Sequence, residues 1–239
     1  MKTSMSMKRL RLGGSVLIIL SDVSLSGIVL SGIASAADLA PKPFYRGPAY
    51  VPPAYDWSGF YLGVVGGGGW ADSSHSDGVS VATGNFNQSG GTLGGTVGYN
   101  WQAGSLVYGF EGDGSWADIQ GSTTSGCASQ CYTSLRWVDT ARGRFGYAWD
   151  NWMPYVTAGL AAVDVHAGQS GLTNGIDWRL GPTVGVGVEW MFLRGWSAKA
   201  EYLYATFGSD TTYTATNPVD VAERNVSLLR LGVDYHFGY

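Results

Sequence analysis

From residue 56 onward, hydrophobic and polar residues alternate with a period of two, the pattern of strands whose two faces meet different surroundings. The stretch 135–147 shows it most sharply. One parity collects Arg136, Thr140, Arg142 and Arg144, and the other Leu135, Trp137, Ala141, Phe145 and Tyr147. Such alternation recurs in eight runs: 57–70, 91–101, 106–116, two arms of a hairpin over 135–163 broken at Asp150-Asn151, then 178–190, 196–206 and 225–237. No run carries a helical period. The seven connections alternate in length. Long polar segments (71–90, 117–132, 164–177, 207–224) follow the odd runs, and short turns (102–105, 150–151, 191–195) follow the even ones.

Loop sorting of this kind puts every long connection on one side, as in barrels that cross an outer membrane. Runs of 9–14 residues also match a tilted membrane strand, which needs about 9 to 11. Trp57, Trp70, Trp101, Trp116, Trp137, Trp149, Trp152, Trp178, Trp190 and Trp196 fall near run ends, where interfacial girdles are expected. The fold expected is therefore all-β: an eight-stranded antiparallel up-and-down transmembrane barrel with short periplasmic turns and long extracellular loops. Composition agrees, with 37 glycines and only 13% charged residues, too few charges to cover the second faces of a soluble sandwich. A formal net charge of −4 argues against a nucleic-acid binder.

Three segments follow. Residues 1–36 read as a signal peptide: Lys8, Arg9 and Arg11, an apolar Val16-Leu17-Ile18-Ile19-Leu20, and Ala34-Ser35-Ala36 as the cleavage site. Residues 37–55 form a proline-rich periplasmic tether, and 56–239 the barrel. In an exported protein the close pair Cys127 and Cys131 is expected to form a loop disulfide, and no metal site is expected.

With the apolar faces toward lipid, the other faces point into the lumen. They bring in Glu111, Asp113, Arg142, Arg144, Glu189, Lys199, Glu201, Arg230 and Asp234. Eight strands enclose a space that side chains can fill, so these charges must pair or keep water. A salt-bridged plug is expected, with a gated pore as the alternative. Gly63, Gly95, Gly109, Gly143, Gly185 and Gly187 would make room for the long side chains. Gly232, Tyr235 and Phe237 end the last run in a pattern resembling the C-terminal signal by which barrels are selected for outer-membrane insertion.

Several blocks resemble the OmpA-type eight-stranded barrel family, most nearly its alpha-proteobacterial outer-membrane immunogenic or porin-like group. They include Asp56-Trp57-Ser58-Gly59-Phe60-Tyr61-Leu62-Gly63, Gly94-Gly95-Thr96-Val97-Gly98-Tyr99-Asn100-Trp101, Thr140-Ala141-Arg142-Gly143-Arg144-Phe145-Gly146-Tyr147 and Ala198-Lys199-Ala200-Glu201-Tyr202. The resemblance implies a surface-exposed envelope protein of the bacterial outer membrane, with haem binding or host contact associated with some relatives. No haem motif carries over. His75 and His166 fall in expected outer loops, and His236 faces inward near the periplasmic end. His166 with Ser170 and Asp164 is the one local cluster of catalytic residue types, and no strand period holds it together. Gly66-Gly67-Gly68-Gly69 lacks the Lys-Ser/Thr of a phosphate loop and reads as a strand end. The expectation is a monomeric, non-enzymatic structural barrel without cofactor. Its partners would be outer-membrane lipid, lipopolysaccharide and the assembly machinery, with no nucleic acid. A small porin-like channel and a haem-binding or adhesive surface protein are the alternatives.

Overall fold

The computed structural model describes residues 55–79, 81–171, 174–214 and 217–238, and the regular structure in them is strand. The expected signal peptide (1–36) and all of the expected tether (37–55) except Tyr55 lie outside the described residues. Nine strands follow in order: β1 (Gly59–Ser76), β2 (Phe86–Ala103), β3 (Leu106–Thr123), β4 (Cys131–Tyr147), β5 (Trp152–Gln169), β6 (Asn174–Leu193), β7 (Trp196–Thr206), β8 (Ser209–Thr214) and β9 (Pro218–His236). Each pairs antiparallel with its neighbour, and β1 pairs with β9, so the sheet closes on itself. The short β8 continues the line of β7 along β9. The ring therefore has eight staves, and closure leaves no sheet edge within the bilayer.

The staves are longer than the alternating runs. β1, β2, β3 and β5 each have 18 residues and β6 has 20. At about 3.3 Å per residue, 18 residues reach roughly 60 Å, well beyond a hydrocarbon core of about 30 Å even when tilted. Much of what the polar segments suggested to be extracellular loop is strand projecting above the membrane, including 71–76, 117–123 and 164–169. Gly66-Gly67-Gly68-Gly69 accordingly sits inside β1 rather than at its end. The periplasmic turns are tight, as expected. Gly104, Asp150 and Gly195 take φ of 65°, 55° and 78°, the left-handed conformation that such short turns require.

Two rows of aromatics face outward. Trp101, Trp152, Trp190 and Trp196 mark the periplasmic row, and Trp70, Trp116, Trp137 and Trp178 the outer row, all about half exposed. Between them Leu62, Val97, Phe110, Val156, Val186 and Leu231 present hydrocarbon to lipid. Trp57 departs from the expected girdle: it lies inside the barrel floor and is fully buried.

The β4 alternation also breaks. Register shifts between Leu135 and Trp137 opposite β5, leaving Arg136 as an extra residue. Arg136 therefore faces outward and Leu135 inward, opposite to the uninterrupted period of two. Below the bulge, Thr140, Arg142 and Arg144 point inward as expected. Of the glycines expected to make room inside, Gly95 and Gly143 instead sit on the outward parity, whereas a Cβ on Gly63 would lie 2.0 Å from Asp234 Oδ1 and one on Gly187 2.5 Å from the Tyr155 ring.

Candidate functional site: the barrel lumen

The interior is layered. At the waist, β3, β4, β6, β7 and β9 deliver the nine expected charges, none more than 7% exposed. Arg142 is the hub. Its Nη2 donates to Glu111 Oε1 at 2.5 Å and Asp113 Oδ2 at 2.8 Å, and its Nη1 to Glu201 Oε2 at 2.6 Å. Arg230 bridges Asp113 at 2.6 Å and Glu201 at 2.7 Å. Lys199 joins Glu111 at 2.9 Å and Asp234 at 3.2 Å, while Arg144 reaches Glu189 at 2.6 Å. Arg142–Glu201, Arg230–Asp113, Lys199–Glu111 and Arg144–Glu189 tie staves that share no backbone ladder, while the other pairs join neighbours. Charge-assisted bonds in a low dielectric are strong, but each ion depends on its partners to offset desolvation.

Neutral groups complete the waist. Tyr61 donates to Glu111 Oε2 at 2.8 Å and accepts from Arg144 Nη1 at 3.0 Å. The Arg144 guanidinium lies 4.0 Å from the Tyr155 ring centroid. Neither tyrosine stood out in the sequence, although Tyr61 faces Gly98 across the β1–β2 ladder, and a Cβ there would lie 2.3 Å from the phenol. An inward glycine beside an aromatic of the neighbouring strand was the available signal.

Below the waist, Trp57, Val107, Ala148, Met153 and Met191 form an apolar floor against which Tyr55 packs. The Trp57 backbone N–H donates to Gln102 Oε1 at 2.7 Å, fastening the segment before β1 to the first periplasmic turn. Above the waist lies an apolar ceiling that includes Ile119, Leu135, Val138, Val163, Leu203 and Leu228. This layer was not expected. It is assembled from Leu135, which the Arg136 bulge turns inward, from strand extensions that bring in Ile119, and from apolar residues on the inward parity of the alternating runs, among them Val138, Leu203 and Leu228.

The remaining expected residues fall as follows. Cys127 and Cys131 are joined by a disulfide, and Cys131 is part of the ceiling. Tyr235 and Phe237 face lipid and pack edge to face at 5.0 Å, while Gly232 lies inside against Val65 and Lys199. His75 is not in a loop: it is on the extracellular extension of β1, buried, with Nε2 2.7 Å from Thr133 Oγ1. Burial, and next the nearby Arg179 charge, lower its pKa to about 4. His166 lies on β5, and its ring is 2.9 Å from Asp164 Oδ2. His236 joins the waist as expected, 3.0 Å from both Glu189 Oε1 and Ser197 Oγ. Ser197 also donates to Glu189 Oε1 at 2.5 Å. This trio is no relay for a nucleophile, because hydroxyl and carboxylate meet the same ring nitrogen.

A family model described as the outer membrane protein beta-barrel domain matches residues 26–237. The chain belongs to this outer-membrane β-barrel family. It is 30% identical over 224 residues to the 25 kDa outer-membrane immunogenic protein of Brucella abortus, covering 90% of this chain and 96% of the relative. It is also 34% identical over 164 residues to the 22 kDa outer membrane protein of Rhizobium leguminosarum, covering 67% and 69%. Neisserial surface protein A superposes with a TM-score of 0.45 at 16% identity, over 75% of this chain and 98% of that one. The resemblance to alpha-proteobacterial outer-membrane immunogenic proteins holds. This barrel resides in the outer membrane, and the relatives carry names of outer-membrane proteins rather than of enzymes.

Proposed function

We propose that this family member is a surface-exposed structural barrel, closed to ions and solutes, that contributes to envelope integrity without catalysis. The observation that carries the reading is the layered lumen: a cross-linked charged waist between an apolar floor and an apolar ceiling. A hydrated ion would have to shed water twice in the apolar layers and displace salt bridges between them. In this reading the barrel acts as a monomer. Its aromatic rows seat it in lipid and lipopolysaccharide, and Gly232, Tyr235 and Phe237 serve the assembly machinery. Buried His75 and the Asp164-bonded His166 argue against the two as haem ligands.

Liposome swelling tests it. Vesicles holding the folded protein are expected to retain potassium and small sugars as long as protein-free vesicles do. Sugar uptake that rises with protein content would replace the structural reading with the porin-like one.

A further inference from the structure

The inner face of β2 differs from the other staves. Its inward positions carry Thr92, Thr96 and Asn100, with glycines between them. Asn100 is fully buried, and among the described residues neither its amide nitrogen nor its oxygen has a hydrogen-bond partner. The Thr92 hydroxyl and the Ser115 hydroxyl on β3 are in the same position, at 6% and 1% exposure. Orphaned polar atoms in an apolar surround cost about 1–3 kcal/mol each unless water satisfies them.

Their register is regular. Asn100 stands opposite Gly109, Thr96 opposite Asp113, Gly94 opposite Ser115, and Thr92 opposite Ala117. A Cβ on Gly109 would lie 2.5 Å from Asn100 Oδ1, and one on Gly94 would lie 2.3 Å from Ser115 Oγ, so both polar heads lean across a glycine. Successive inward rungs are two residues apart, roughly 6.6 Å. One water bridging two hydrogen bonds of about 2.8 Å reaches at most about 5.6 Å, so each such gap takes two waters in line rather than one. The polar rungs are interrupted above Thr92, where Gly90 separates it from the next buried polar side chain, Gln88. Above Thr92, Ile119 and Leu228 close over Gly69, where a Cβ would lie 2.4 Å from Ile119 Cδ1 and 2.7 Å from Leu228 Cδ2.

We infer that the β2–β3 seam binds a file of ordered waters from Asn100 to Thr92, held between the Trp57 floor and the Ile119–Leu228 collar. The waist is wet along one side, and the two apolar layers act in series to keep that water from conducting. The inference rests on the closed-barrel reading, and its test separates the two. In bilayer-embedded wild-type protein, solid-state NMR is expected to show water cross-peaks at Thr92 and Ser115; their absence would overturn the file. Proteoliposomes with a trapped pH dye test the series arrangement. Trp57→Ala and Ile119→Ser are each expected to stay tight to protons. The folded double variant is expected to raise proton flux at least tenfold without releasing potassium, and adding Thr92→Val with Ser115→Ala should abolish the gain. A double variant that is folded yet proton-tight, or a leak indifferent to those two hydroxyls, would contradict the inference. Potassium release by the wild type would instead overturn the closed-barrel reading itself.

Discussion

The waist and the ceiling of the lumen fill the same cylinder by opposite chemistry. The waist is held by ion pairs, directional and mutually dependent, in which each of the nine charges except Asp234 pairs with two or three others. The ceiling is held by hydrocarbon contact, which is non-directional and close to a sum of parts. The difference teaches where the barrel tolerates change. A lost methyl group leaves a void of limited cost, whereas a lost charge leaves its partners stranded.

The largest effect is therefore expected at Arg142. Arg142→Met takes one cation from each of Glu111, Asp113 and Glu201 and leaves three buried carboxylates under-compensated, which should cost about 3–5 kcal/mol or prevent folding, as read by urea titration of the detergent-folded protein. Adding Asp113→Asn should recover part of the loss; a purely additive double variant would break the account of a coupled waist. In the ceiling, Leu135→Ala should cost about 3 kcal/mol by the same titration, through cavity formation. A loss below about 1 kcal/mol would show that Leu135 is not packed inside, and with it that the Arg136 bulge is misplaced.

Acidification should act on the extracellular extension. His75 has a folded pKa of about 4, lowered from an ordinary 6.5, so the unfolded chain binds its proton more readily. The stability this group contributes is full above pH 6.5 and falls as pH drops from 6.5 toward 4. The protection factors of the upper β1 amides, with the intrinsic acid slowing of exchange divided out, should fall over that window, and His75→Gln should remove the dependence. The smallest effect is expected at the disulfide. It closes only a five-residue loop, so Cys127→Ser with Cys131→Ser should cost at most about 2 kcal/mol, seen as a small fall in melting temperature.

Legibility in the sequence follows the same division. The waist was readable because strict alternation on β3, β6, β7 and β9 set charges against Val, Leu, Trp and Tyr on the other parity, and all nine charges lie inside. The ceiling was hidden for two reasons. Around Ala161, Val163 and Val165 both faces of β5 are small or apolar, so the period carries no direction. On β4 the Arg136 bulge reverses the parity, which no count of twos reveals. Trp57 misled because an aromatic next to a strand start fits a girdle as well as a floor. Only the fold of the preceding segment, fastened through Gln102, decides between them. The long polar connections read as loops because their serines, threonines and glycines are turn formers, yet here they continue an existing ladder.

The most direct test of the central claim is the conductance of the purified, folded barrel in planar lipid bilayers. With the waist cross-linked and both apolar layers in place, the account predicts a current indistinguishable from protein-free membrane across applied voltage. Reproducible channels of uniform size, shifted in ion selectivity by Glu111→Gln, would contradict it.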